Sequence, residues 1–156
     1  LAEYNPQTRE KRGVYYTREP VVSYIVRSLH SILKERFNRA DGFAGDSVTV
    51  LDPAAGTLTF LAEVAKLAEK EFVSKYGDGG KENFIREHIL QNLYAFELMM
   101  APYAVGHLKM SFLLEELGYK LRGMIDLSSI SLTLWRWKNL PKLNSRGWRR
   151  FPRNLI

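Results

Sequence analysis

Residues 48 to 61, Val-Thr-Val-Leu-Asp-Pro-Ala-Ala-Gly-Thr-Leu-Thr-Phe-Leu, leave this chain few choices of fold. Val48, Val50 and Leu51 read as a short buried strand. Asp52, Pro53, Ala54, Ala55 and Gly56 read as a tight turn at its carboxyl end, and a helix is expected from Thr57 onward. A strand, a turn of small residues and a helix make the ligand-binding corner of a doubly wound α/β sheet. The small side chains let a ligand approach the backbone, and the first turn of the helix offers unbonded N–H groups.

Further along, the same alternation repeats. Leu61, Val64, Ala65, Ala68 and Phe72 share one helical face. Gly77-Asp78-Gly79-Gly80 ends that helix near Tyr76, because glycine continues a helix at a cost. Residues 82 to 91 read as a shorter helix. Leu93 to Phe96 read as a second strand with Glu97 at its carboxyl end, where such folds hold ribose hydroxyls; a carboxylate can accept from both hydroxyls at once. Pro102 suits the first turn of a further helix, with Ala104, Val105, Leu108, Phe112 and Leu113 as its buried face and Met99, Met100 and Met110 as packing residues. Ile125 to Leu132 can form a third strand. Upstream, Thr17 is placed to cap a helix whose first turn holds Glu19 and Pro20. The apolar face of that helix is Val21, Val22, Ile25, Val26, Leu29, Ile32 and Leu33.

Three stretches carry a resemblance to a known family. Asp52-Pro53-Ala54-Ala55-Gly56-Thr57-Leu58-Thr59-Phe60 resembles the first motif of adenine-specific DNA methyltransferases, which binds the methionine part of S-adenosylmethionine. Gly13-Val14-Tyr15-Tyr16-Thr17 resembles the loop that in this family precedes that motif and lies over the methionine end of the cofactor. Leu93-Tyr94-Ala95-Phe96-Glu97 resembles the second motif. Together with Leu98-Met99-Met100-Ala101-Pro102-Tyr103-Ala104, it is similar to a segment of single-chain restriction-modification enzymes. Two positions depart from the pattern: Arg18 stands where Pro is usual, and Leu58 where the family has its second Gly.

The resemblance covers residues 13 to about 133. It implies part of a Rossmann-like, S-adenosylmethionine-dependent methyltransferase fold: three layers, α/β/α, with an incomplete sheet whose three strands are neighbours. It implies S-adenosylmethionine as cofactor. Its contacts would be Tyr16 and Thr17 from the loop, Asp52 accepting from the cofactor's amino group, Pro53, Ala54 and Gly56 where the backbone approaches, and Glu97 on the ribose. Asp126 is a candidate neighbour of the adenine. Leu58 is expected to crowd the cofactor and weaken its binding. The family's catalytic Asn/Asp-Pro-Pro-Tyr/Phe, which would hold a flipped adenine, does not occur in these 156 residues. No catalytic residue is therefore assigned, and DNA is expected as partner through a full-length enzyme. The first residue is Leu1 rather than Met, so a longer parent is expected.

Composition limits the alternatives. There is no Cys, which excludes disulfides and Cys-based metal sites and is compatible with a reducing cytosol; a cytoplasmic location is expected. His30, His88 and His107 share no spacing with carboxylates that would make a metal site. No apolar run approaches the ~20 residues of a membrane helix. The formal net charge is +6, but residues 134 to 156 hold seven basic residues and no acid, so residues 1 to 133 carry −1. The basic character therefore belongs to the tail and is weak evidence that the body binds nucleic acid.

Residues 1 to 12 read as a linker. After Thr133 the helical periodicity is lost, and Trp135, Trp137 and Trp148 appear among Arg and Lys. This tail is expected either as disordered basic chain or as out-of-frame translation. One coding of Leu134 to Asn144, shifted by one base, reads Leu-Glu-Met-Glu-Glu-Leu-Ala-Glu-Thr-Gln, an ordinary acidic helical sequence. Two other readings stay open. One is a nicotinamide-dependent oxidoreductase, against which counts the absence of a Gly-x-Gly-x-x-Gly fingerprint. The other is a non-catalytic nucleic-acid-binding or interaction module that uses the tail's Trp and Arg for stacking and phosphate contact.

Overall fold

The computed structural model describes residues 16–120 and the backbone of a strand at residues 131–134. The expected linker, Asp126, the tail beyond Leu134 and most of the expected third strand lie outside the described residues.

Helix α1 spans Glu19–Arg36 and leads through a 3-10 turn, Gly42–Ala44, into strand β1, Val50–Asp52. Helix α2 follows at Thr59–Tyr76. After a second 3-10 turn, α3 (Lys81–Phe84) runs through a π turn (Ile85–Ile89) into α4 (Leu90–Asn92). Strand β2 is Leu93–Glu97, α5 is Met100–Glu116 and β3 is Ser131–Leu134. The sheet order is β1-β2-β3 and both pairings are parallel, with Asp52 opposite Ala95 and Glu97 opposite Leu134. Parallel neighbours need long crossovers. Helices α2 to α4 carry the chain from β1 to β2, and α5 lies between β2 and β3. Among the described residues no helix is long and apolar enough to cross a membrane.

The core is built from α2 outward. Leu61, Val64, Ala65 and Ala68 are buried as their spacing predicts, with Ile85, Ile89, Ala95, Met110 and Leu114 against them in the same cluster. Phe72 stacks on Phe84 with ring centroids 4.3 Å apart. Gly77, at φ 80°, closes the helix with its N–H on Val73 O.

Three expectations about the helices are corrected. Thr17 does not cap α1. The N-cap is Arg18, with no side-chain cap, and its carbonyl accepts from Val21 and Val22 N–H at 3.0 and 3.2 Å. Pro20 has no N–H, so one of the donors that a cap would satisfy is missing. The apolar face of α1 splits. Val22, Val26 and Leu33 are buried, but Val21, Ile25, Leu29 and Ile32 are exposed, because the stripe is wider than α2 and the 3-10 turn can cover.

In α5 the inward face is Pro102, Gly106, Met110, Leu113 and Leu114. Of the expected face only Leu113 is inside; Val105, Leu108, Phe112 and Met100 are exposed. This helix is apolar almost all round, so periodicity does not choose a face, and close approach at Gly106 does.

Two histidines hold the turn before β1. His30 Nδ1 accepts from Phe43 N–H at 3.2 Å, and His88 Nε2 lies 2.8 Å from Phe43 O, to which it donates. Asn92 Nδ2 donates to His88 Nδ1 at 3.0 Å, which fixes that tautomer. His30 Nε2 faces Glu71 Oε2 at 3.4 Å. A Cβ on Gly42, at φ 55°, would stand 2.4 Å from His30 Cε1, so only glycine fits. Glu71 also binds Lys34 and Lys75 at 2.7 and 2.9 Å. Burial pushes the Glu71 carboxyl up, but hydrogen bonds and charge from Lys34 and Lys75 outweigh it and bring it to about 2.

Candidate functional site

At the carboxyl edge of the sheet, β1 ends on Asp52. Its Oδ1 accepts from Ala54 N–H at 3.1 Å, a turn held by the carboxylate itself. Pro53 and Ala54 are exposed at the tip. Ala55 N–H then donates to Phe96 O at 3.0 Å, and Leu58 N–H to Ala55 O at 2.8 Å. The turn after β1 is thereby tied to the end of β2.

Gly56 has φ 54°, and a Cβ there would meet nothing within 4 Å. The left-handed backbone favours glycine, and the space beside it is open. Register puts Asp52 beside Ala95, so Asp52 shares a face with Glu97 two residues on. Glu97 Oε1 accepts from Met99 N–H at 2.7 Å at the start of α5. Both carboxylates are half-buried. Burial pushes the Asp52 carboxyl up; the Ala54 N–H opposes this, and the charge of Glu97 adds to it. Asp52, Pro53, Ala54, Gly56 and Glu97 thus meet at one edge.

Leu58 takes a different part from the one its sequence position implies. It has φ 60°, in the left-handed region, so it keeps a backbone shape that glycine adopts freely. Its side chain is 1% exposed and points inward to α5, where a Cβ on Gly106 would lie 2.8 Å from Leu58 Cγ. The side chain is core and does not fill the space beside Gly56. The expectation that it crowds that space is therefore corrected. Leu58 in the left-handed region also delays the helix, which starts at Thr59 and not at Thr57.

Tyr16 belongs to a cavity that neither Asp52 nor Glu97 lines. It is 62% exposed and edges a cavity of about 170 Å³ among α1, α2 and α5, floored by Val22 and Ala62. Thr17 is half-buried between Tyr16 and α1. Thr59, the first residue of α2, belongs to the same cavity, which brings Tyr16 beside the start of that helix.

Sequence reasoning missed Glu19, Glu63, Lys66 and Lys109 in this cavity. Lys109 Nζ donates to Thr59 Oγ1 at 3.2 Å. Burial holds the Lys109 ammonium below its ordinary pKa and the charge of Lys66 adds to that, while Glu19 and Glu63 oppose it. The available signal was a lone cation inside the apolar run Val105-Gly106-His107-Leu108-Lys109-Met110.

The sequence matches no protein-family model, and no curated protein at a significant level. Solved structures give the fold. The chain is similar to part of the Type ISP restriction-modification enzyme LlaGI, a nuclease-deletion mutant in complex with a DNA substrate mimic. Identity is 22% and the TM-score 0.58, over 70% of this chain and 8% of that one. It is similar to part of LlaBIII, an ATP-dependent Type ISP restriction-modification enzyme bound to DNA, at 24% identity and TM-score 0.57, over 67% and 6%. DrdV in its DNA complex matches at 24% identity and TM-score 0.61, over 84% and 11%. The chain therefore has an α/β fold that also occurs inside the restriction-modification enzymes LlaGI and LlaBIII and inside DrdV, and it spans only 6% to 11% of the length of these chains.

Proposed function

We propose that this chain is the S-adenosylmethionine-binding part of an adenine-specific DNA methyltransferase belonging to a restriction-modification system, with DNA as partner of the full-length enzyme. One observation carries the reading: Asp52 and Glu97 end adjacent parallel strands on one face, beside the open left-handed turn at Gly56. The fold shared with DNA-bound restriction-modification enzymes supports it.

The residues present fit the cofactor. Glu97 spends one oxygen on Met99 N–H and keeps acceptor capacity for ribose hydroxyls. Asp52 spends Oδ1 on Ala54 N–H and keeps Oδ2 for an amino group. The open space at Gly56 admits a ligand against the backbone. When bound, the cofactor supplies an electrophilic methyl group on sulfonium; this chain's residues bind and orient. The sequence holds no Asn/Asp-Pro-Pro-Tyr/Phe to present an adenine amine, so binding without transfer is the share assigned to it.

Affinity is expected to be weak, with a dissociation constant of ~1 mM or a little below, because three strands supply only part of a pocket. Titration of S-adenosylhomocysteine into the isotope-labelled chain should move the amide resonances of Gly56 and Glu97. Glu97→Gln should weaken the effect by about tenfold, the scale of a lost charge-assisted hydrogen bond. No movement at several times that concentration, or an unchanged Glu97→Gln titration, overturns the proposal.

A further inference from the structure

His30 stands between two partners that want different things of it. Its Nδ1 accepts from Phe43 N–H at 3.2 Å, and its Nε2 faces Glu71 Oε2 at 3.4 Å. Because Nδ1 accepts, the ring is neutral and its one proton sits on Nε2. The ring is buried and has no room to turn over. It lies flat on the backbone of Gly42, where a Cβ would overlap its Cε1, Nδ1 and Nε2, and the Phe43 ring packs on it with centroids 5.7 Å apart.

A second proton changes these two contacts in opposite directions. Imidazolium carries a donor on each nitrogen. At Nε2 the donor stays and the new charge draws it toward Glu71. At Nδ1 the new N–H points at Phe43 N–H, and a backbone N–H cannot reverse its role. A hydrogen bond becomes a meeting of two donors, with the Phe43 donor left unsatisfied in a buried place. Glu71 is still an anion when this happens: burial pushes its carboxyl up, but Lys34 and Lys75 outweigh that and bring it to about 2. Lys34 from α1 and Lys75 from α2 face the same ring and resist the added charge. Asp41, ahead of the turn, is held on Lys75 at 2.7 Å. Burial, and then Lys34, keep the His30 pKa below its ordinary value against the pull of Glu71, so the step lies on the acid side of neutrality.

His88 does not share this property. Its Nε2 donates to Phe43 O, a contact that a second proton keeps. Its Nδ1 meets the side-chain amide of Asn92, which can turn over and present Oδ1 instead. Thr49 Oγ1, 3.5 Å from that Oδ1, can donate or accept and so follow the change. Acid therefore releases Phe43 N–H while Phe43 O stays held.

We propose that His30 is a proton-operated catch on the turn Gly42–Ala44. Neutral, it holds Phe43 N–H and the turn with it. Protonated, it lets go and passes to Glu71 of α2, while His88 keeps the turn hinged at Phe43 O. The movement is local. Asp41 and Ala44 line a cavity of about 410 Å³ with Asp46, Phe72 and Tyr76, so the proton also resets one wall of that cavity.

Histidine ring resonances and amide hydrogen exchange of the full 156-residue chain, followed from about pH 7.5 to about pH 4, test the catch. Exchange is taken relative to an unprotected chain at the same pH. As His30 titrates, the protection of the Phe43 amide should fall by about tenfold or more, while the core amides of Ala65 and Ala95 keep theirs. His30→Gln offers an acceptor with no titrating proton, so Phe43 protection should no longer depend on pH. Glu71→Gln removes the anion to which the charged ring passes. It should move the His30 titration and the loss at Phe43 to lower pH together, which a merely structural His30 would not do. The spectrum of each variant reports whether it is folded, and the paired midpoints of Glu71→Gln decide the matter if His30→Gln does not fold.

The catch is overturned if Phe43 stays protected through the His30 titration, or if its loss persists in His30→Gln. It is equally overturned if Glu71→Gln moves one midpoint without the other. Loss of protection at Ala65 and Ala95 in the same step would show global unfolding and no local release.

Discussion

The histidine-held turn before β1 and the strand-end corner after it lie a few residues apart and treat their polar groups in opposite ways. At the turn, Phe43 N–H and Phe43 O each meet a histidine nitrogen, and Glu71 is shared by His30, Lys34 and Lys75. At the corner, Asp52 and Glu97 each take one backbone N–H and face each other's charge, and Gly56 faces open space. Burying like charges near each other costs stability that pairing would recover. The corner therefore keeps unspent acceptors and open space, as the proposed ligand site requires, and the turn spends its polar groups on holding β1 still.

Glycine substitutions test this contrast most sharply. Gly42→Ala is expected to destabilise by about 3 kcal/mol or more, from the clash with His30 and the positive φ together. Thermal or urea unfolding would read it; a loss below ~1 kcal/mol would show that the turn can relax. Leu58→Gly comes next. It relieves about 1 kcal/mol of left-handed backbone strain but empties a fully buried site, for a net loss of about 2 kcal/mol. It should not strengthen binding of S-adenosylhomocysteine, and a gain of tenfold would show that Leu58 does crowd the site.

The third test is acid. Glu71 is lowered in the folded chain to about 2 from an ordinary 4.5. The unfolded chain therefore binds the extra proton first as pH falls. The stability from this group is fully present above about pH 4.5 and is lost toward about pH 2. Allowing for solvent screening, the loss is on the order of 1 kcal/mol. Glu71→Gln should flatten the stability profile across that window, and an unchanged slope would show that the cluster carries no linkage. His30 adds in the same direction, since burial, and then Lys34, hold its pKa down.

Smallest is Gly56→Ala. With nothing within 4 Å it should cost only the ~1 kcal/mol of a left-handed alanine while weakening ligand binding. A loss as large as that of Gly42→Ala would erase the distinction between the two regions.

The corner was legible because small residues between a strand and a helix have few other uses, and Asp52, Gly56 and Glu97 lie where the local pattern puts them. What escaped depended on partners distant in sequence. Leu58 turns inward only because Gly106, 48 residues later, leaves room for it. Helix α5 buries Gly106 and Met110, and leaves Val105 and Phe112 outside, a choice that its own apolar periphery does not make. Histidines 30 and 88 have no common spacing, yet they meet at the backbone of one residue, Phe43. Lys109 becomes notable only when α1 and α2 bring Glu19, Glu63 and Lys66 beside it.

The bond from Ala55 N–H to Phe96 O joins main-chain atoms only. It pins how far β2 advances past β1, and a slip of one residue would turn the Glu97 side chain to the other face of the sheet. Because neither atom belongs to a side chain, substitutions at 55 and 96 leave the bond's chemistry untouched, with one exception. Proline at 55 removes the donor. The alignment of the two acids is thus fixed by main-chain atoms, and a substitution at 55 or 96 other than proline at 55 reaches it only through packing, since Ala55 is buried in the core.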